Sequence, residues 1–300
     1  MATCIWRRLL LQPVKCRITC QRIESIYNRT HGFDENEIKE KLQHFSGGSI
    51  DLSKGNDGIG VLTLNNSVHK NALTGTMMIE LQDRVKELED WTEGRGLVVH
   101  GARNTFCSGS DLKAIKAMHG SEEGLKICMF MQNTLTRLKR LPLISVALVQ
   151  GKALGGGAEL STACDFRLMT PGSEICFVQK HMGLVPGWGG GARLVQIVGG
   201  QQSLKLLNGA LRMDPAKALN AGLIDDILPS DEGKALEEAQ RWLSQYTGAP
   251  VEVIQGLKKV VTAGRELPLE DALKSEKEIF GTLWGGPANL QALARGSKHK

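Results

Sequence analysis

Two short segments of this sequence carry the means to stabilise a developing negative charge. In Phe106-Cys107-Ser108-Gly109-Ser110-Asp111-Leu112, a glycine precedes Ser-Asp at the head of an amphipathic stretch. That order supplies a flexible approach, an N-cap and backbone N–H groups left free at a helix start. In Gly155-Gly156-Gly157-Ala158-Glu159, three glycines lead from an apolar run into a second helical stretch. Consecutive glycines cost folding entropy, so their use implies exposed or closely approached backbone. Helix N-termini favour negative charge, and two of them presenting N–H groups to one point would form an oxyanion hole. Taken singly, each segment has a plainer reading, the first as a helix cap and the second as tight strand–helix packing. No clear GxGxxG dinucleotide fingerprint and no P-loop occurs.

The elements that must position these segments follow from periodicity. Asn36 to Phe45 suits a short polar helix, and Ile50–Leu52 with Gly60–Leu64 suit a hairpin closed by Lys54-Gly55-Asn56-Asp57-Gly58. Met77, Leu81, Val85 and Leu88 form the stripe of a helix over Thr76–Leu88. Leu97–Val99 reads as a buried strand, Leu125–Leu138 as a helix, and Ile144–Val149 as the strongest strand in the chain. The helix Ala158–Ala163 and the strands Phe166–Met169 and Ile175–Val178 come next. Helical stretches then follow at Gln202–Leu207, Pro215–Ala221, Ala235–Leu243, Val251–Ala263 and Leu269–Leu283. Strands alternating with helices, then a helical tail, predict an α/β core with a helical C-terminal subdomain. The expected divisions are a basic leader over 1–45, a core over 46–240 and the helical subdomain over 241–300.

Composition narrows the function classes. The hydrophobic share of 41% and charged share of 23% are ordinary for a globular chain of 300 residues. No apolar run reaches membrane-spanning length, so no membrane partner is expected. The formal net charge of +5 resides entirely in residues 1–32. The rest is neutral and offers no basic stripe to nucleic acid. That leader is arginine-rich with no acid before Glu24, the composition of a mitochondrial transit peptide or of a disordered tail. The seven cysteines are irregularly spaced and include no CxxC, which argues against a metal site or a disulfide framework.

Five motifs occur in one order: Asn71-Ala72-Leu73, Phe106 to Leu112, Ala153-Leu154-Gly155-Gly156-Gly157-Ala158-Glu159-Leu160, Cys164-Asp165, and Gly183-Leu184-Val185-Pro186-Gly187-Trp188-Gly189-Gly190. Together they resemble the signature of the crotonase (enoyl-CoA hydratase/isomerase) superfamily over roughly residues 50 to 240. The resemblance implies a crotonase-type spiral of ββα units, an acyl-CoA substrate, and a homotrimer or a hexamer built from two trimers. It makes the N–H groups of Ser110 and Gly156 the oxyanion hole and places Lys70, Ala72, Asp111 and Leu112 along the coenzyme A channel. No cofactor is implied, coenzyme A being part of the substrate.

Hydratases of that family need two carboxylates. One matches Glu159, but the other position holds Gln179, an amide that cannot exchange a proton at neutral pH. His181, two residues on, is the candidate to substitute. An oxyanion hole with one carboxylate suits decarboxylation of a malonyl-type thioester, because loss of CO₂ leaves an enolate on the thioester oxygen. Glu159 would reprotonate carbon if an apolar setting raised its pKa, and Trp188 would either wall the pocket or simply pack. Cys128 to Arg137, Leu141 to Val146 and Trp284-Gly285-Gly286-Pro287-Ala288-Asn289 resemble a vertebrate decarboxylase branch of the same family. That likeness implies ethylmalonyl-CoA converted to butyryl-CoA, methylmalonyl-CoA as a lesser substrate, and a cytosolic protein, with the mitochondrion as the alternative. An enoyl-CoA isomerase and a non-catalytic acyl-CoA-binding homologue are the rival readings.

Overall fold

The computed structural model describes residues 25–229 and 233–296. Most of the predicted leader, including Cys4, Cys16 and Cys20, lies outside the described residues. The helix α1 (Glu35–Leu42) starts where the Asp34 carboxylate accepts Asn36 N–H at 3.0 Å. Phe33, Ile38 and Leu42 are buried in the main core, so the fold begins before the leader boundary expected at residue 45. Strands β1 (Ser49–Lys54) and β2 (Ile59–Asn65) pair antiparallel as the expected hairpin. Its turn is set by Asp57, which accepts Ile59 N–H, and by Gly58 at a φ of 79°.

Helix α2 (Gly75–Glu89) buries its predicted stripe of Met77, Leu81, Val85 and Leu88. The chain continues through β3 (Gly96–Gly101), α3 (Leu112–Ala117), α4 (Ser121–Arg140), β4 (Ile144–Val149), β5 (Lys152–Leu154) and α5 (Gly156–Ser161). After β6 (Phe166–Met169) and β7 (Glu174–Cys176) come α6 (Gly190–Gly209), α7 (Pro215–Asn220) and β8 (Asp226–Ile227). Four helices complete the described chain: α8 (Ala235–Thr247), α9 (Val251–Glu266), α10 (Leu269–Leu283) and α11 (Pro287–Ala294).

Six strands form one sheet in the order β1-β2-β3-β4-β6-β8, parallel except for the hairpin. A second, narrow strip is stitched from Leu73 beside Ser110, Cys107 beside Ala153, β5 beside β7, and Ile175 beside Met213. Successive passes of the chain therefore lay a long strand in the large sheet and a short bridge in the strip, which is how a spiral of ββα turns is built. Alternate residues of each central strand face opposite layers. Leu97, Val99, Ala147 and Val149 point into the main core, whereas Val98, Val146 and Leu148 meet Ala235, Ala239 and Leu243 of α8.

The structure corrects several expected boundaries. The strand predicted to Val178 stops at Cys176, because Gln179–Met182 coils into a 3₁₀ turn closed by Gly183 at a φ of 68°. Gln202–Leu207 is only the end of α6, which starts at Gly190 and is broken by Gly199 at φ 76°, ψ 163°. The short β5 and β8 gave no periodic signal of their own. Of the three long C-terminal helices, α8 covers the sheet, and α9 packs on α10 with Leu283 and Ile279 against Gly256. No residue of α10 is buried, and Leu269, Leu273, Phe280 and Trp284 remain exposed.

Candidate active site

The site forms where three backbone segments are tied at the edge of the strip. Leu73 N–H donates to Gly109 O at 2.8 Å, Asp111 N–H to Leu73 O at 2.9 Å, and Leu154 N–H to Cys107 O at 2.9 Å. In that pattern Ser110 N–H is skipped, because its neighbours on either side make the bonds. Gly156 N–H opens α5 and so has no acceptor within its own helix. Gly109 adopts a φ of 102°, and a β-carbon there would stand 3.2 Å from Gly156 N. The two glycine-containing segments flagged in the sequence therefore abut, Gly109 against Gly156. Gly157 is required for the same closeness, since a β-carbon on it would lie 2.0 Å from Cys107 O.

Glu159, on the first turn of α5, is 2% exposed. Its Oε2 accepts Trp188 N–H at 2.7 Å and Gly190 N–H at 2.8 Å. Its Oε1 accepts Gln179 Nε2 at 2.9 Å and Gly187 N–H at 3.3 Å. The glycine turn is glycine partly because a β-carbon at Gly190 would sit 2.3 Å from Glu159 Cγ. Burial pushes the Glu159 carboxyl above its usual pKa, against the pull of these donors and of the Arg193 charge. The donors suit the ionised form and the burial suits the protonated one, and burial is the stronger influence.

The remaining predicted residues divide into those at the site and those around it. Trp188 is buried, with its indole packed against Gly156. Lys70, exposed at a φ of 53°, and buried Ala72 lie on the loop beside Ser108, whose N–H donates to Lys70 O at 3.0 Å. Asp111 caps α3 by accepting Lys113 N–H at 2.8 Å, and Leu112 beside it is exposed. His181 is exposed, with no side-chain hydrogen bond among the described residues, and so is not brought to Glu159.

Four supporting residues were given no role from sequence. Arg193 is buried and donates to Thr162 Oγ1 at 3.0 Å, Glu159 O at 3.1 Å and Trp188 O at 2.8 Å. Burial lowers its pKa to about 10. Its signal was a lone cation in the small, apolar run Gly189 to Val195. Cys128 and Gln132, one turn apart on α4, both donate to Gly187 O, at 2.8 and 2.9 Å. Asn71 was quoted as a motif residue only; its side chain pins the 66–72 loop by donating to Ala102 O and Thr105 O and accepting Asn66 N–H.

Residues 54–285 match the pattern of the enoyl-CoA hydratase/isomerase family. The chain belongs to that family. A chicken (Gallus gallus) relative named ethylmalonyl-CoA decarboxylase is 65% identical over 299 residues, covering 99% of this chain and all of its own length. Relatives of the same name from Xenopus laevis and Homo sapiens are each 60% identical, covering 100% and 91% of this chain and 100% and 90% of their own. The crystal structure of an enoyl-CoA hydratase from Bacillus anthracis superposes with a TM-score of 0.75 at 24% identity, over 82% of this chain and 96% of that one. That similarity is one of fold. Among the described residues no helix is long and apolar enough to cross a membrane.

Proposed function

We propose that this chain is an ethylmalonyl-CoA decarboxylase, releasing CO₂ from short branched malonyl-type thioesters through an enolate. Whole-length identity of 60–65% to relatives of that name carries the reading. The site's chemistry supports it, because Glu159 faces an amide rather than a second carboxylate. Water addition needs two proton-exchanging groups, and Gln179 is not one.

Ser110 and Gly156 N–H would receive the thioester oxygen as the bond between Cα and the carboxylate breaks, with the electron pair flowing into the enolate. Trp188, packed against Gly156, would cover that point and keep water from it. Glu159 would then hand a proton to Cα, giving butyryl-CoA from ethylmalonyl-CoA and propionyl-CoA from methylmalonyl-CoA as the lesser substrate. Lys70, Ala72, Asp111 and Leu112 would line the coenzyme A channel. The reading includes no cofactor beyond the substrate's own coenzyme A. The reading extends to a cytosolic homotrimer or hexamer. The exposed apolar side of α10 supports a subunit contact, and the basic leader keeps the mitochondrion as the alternative.

A single carboxylate beside an oxyanion hole also serves an enoyl-CoA isomerase. Incubation with malonyl-, methylmalonyl-, ethylmalonyl- and crotonyl-CoA, followed by mass spectrometry, separates the readings. The expected result is fastest CO₂ loss from ethylmalonyl-CoA and no hydration of crotonyl-CoA. Rapid hydration, or no CO₂ loss from any of the three carboxylated thioesters, would overturn the proposal.

A further inference from the structure

Gln179 leaves an unanswered acceptor in the site. Its Nε2 donates to Glu159 Oε1, which fixes the orientation of the amide. Its Oε1 is enclosed by protein and has no hydrogen-bond partner among the described residues. Buried polar atoms are almost always paired, so an orphan beside a buried carboxylate calls for a reason. An amide turned over about its last bond exchanges donor and acceptor with little change of shape. Turned over, Gln179 would set Oε1 against Glu159 Oε1, and two acceptors repel unless one carries a proton.

We propose that Gln179 relays the protonation of Glu159 to the substrate. Against the carboxylate it spends Nε2 and leaves Oε1 unpaired and enclosed, as seen here; when substrate enters beside it and Glu159 is protonated, it turns over, accepts the Glu159 O–H and offers Nε2 to the leaving carboxylate. The inference rests on the decarboxylase reading and deepens it.

The surroundings say where the proton would sit. Oε2 has two short donors, Trp188 N–H and Gly190 N–H, and no room for a hydrogen. Oε1 has only the longer Gly187 contact and the reversible Gln179 one. From α6, Arg193 faces the backbone oxygen of Glu159, and from α4, half-buried Cys128 faces Gly187 O. Neither takes a proton from Oε1. A substrate carboxylate arriving beside Glu159 in a dry site favours proton uptake, and burial already pushes the same way.

The step balances. The bond from Cα to the carboxylate breaks, its electron pair enters the enolate, and CO₂ leaves uncharged. The enolate pair then takes the Glu159 proton at Cα. Glu159 is again a carboxylate, Gln179 turns back, and solvent restores the proton before the next turnover. A glutamate at 179 could not offer a donor to a carboxylate, which is why an amide suits this position.

The test is calorimetric titration in buffers of differing ionisation enthalpy. One ligand is the thioether analogue of ethylmalonyl-CoA in which CH₂ replaces the thioester carbonyl, so that no enolate can form; the other is butyryl-CoA. The wild-type protein should take up about one proton per site with the first ligand and none with the second. Gln179→Met should weaken the analogue by about tenfold or more while leaving butyryl-CoA within about twofold. Absence of proton uptake, or equal weakening of both ligands, would overturn the proposal. The wild-type titration decides even if Gln179→Met fails to fold. A wild-type protein that releases no CO₂ from ethylmalonyl-CoA would sink the reaction itself, a separate outcome from either binding result.

Discussion

The Trp188 indole lies on Gly156, so close that a β-carbon there would stand 2.5 Å from Cζ3 and 2.7 Å from Cη2. One glycine thus serves both packing and charge stabilisation, since the roofed N–H is the donor assigned to the oxyanion. Overpacking a well-filled core costs about 1–3 kcal/mol. Gly156→Ala should lose about that much stability and slow turnover, and adding Trp188→Leu should restore part of the stability. Thermal unfolding of the four proteins of this cycle checks it; simple additivity would show that the ring is not the obstacle.

Arg193 holds Thr162, Glu159 and Trp188 with one guanidinium fork. Lysine cannot reach three acceptors in that geometry. Arg193→Lys should leave buried carbonyls unpaired, at a cost of about 1–3 kcal/mol, and lower kcat more than it raises KM, because the side chain orients Glu159 rather than touching substrate. Unfolding midpoints and steady-state kinetics on the same preparation test both parts.

Lys139 is 8% exposed, and its Nζ donates to Gln196 Oε1 at 3.4 Å. Burial, helped by Arg265, Arg193 and Arg167, lowers its pKa to about 8 from 10.5. Between those two values the folded protein has shed a proton that the unfolded chain still binds, so stability contributed by this group rises with pH across that window. Below pH 8 both states are protonated, and the cost of the buried charge is constant. In Lys139→Met the rise between pH 8 and 10.5 should shrink, and the midpoint at neutral pH should increase. Denaturant titrations at several pH values measure this.

Much of the architecture was legible because strands and helices carry their own periods. The unbroken apolar run Leu97-Val98-Val99 marks a strand covered on both sides, and the stripe of α2 names a buried face. The short β5, the two-residue β8 and the kink at Gly199 were not legible, since their backbone is set by neighbours rather than by local pattern. At the site, Gly109, Gly156 and Glu159 stood out by residue type. Arg193, Cys128 and Gln132 did not, because each acts on a backbone carbonyl far along the chain, and a single sequence carries no mark of such contacts. Gln179 was noticed as the absence of an acid; its bond to Glu159 and its orphaned oxygen needed coordinates.

The central claim is that Glu159 returns the proton to Cα after CO₂ has left. Glu159→Gln keeps the side chain's shape and can still accept Trp188 and Gly190 N–H through its amide oxygen. The decisive measurement is the rate of butyryl-CoA formation from ethylmalonyl-CoA by this variant, with binding of butyryl-CoA measured alongside. Formation should slow by roughly 10²–10⁴, the range expected of a positioned proton donor, while binding changes little. A variant that forms butyryl-CoA at the wild-type rate would contradict the account, because water or another group would then be supplying the proton.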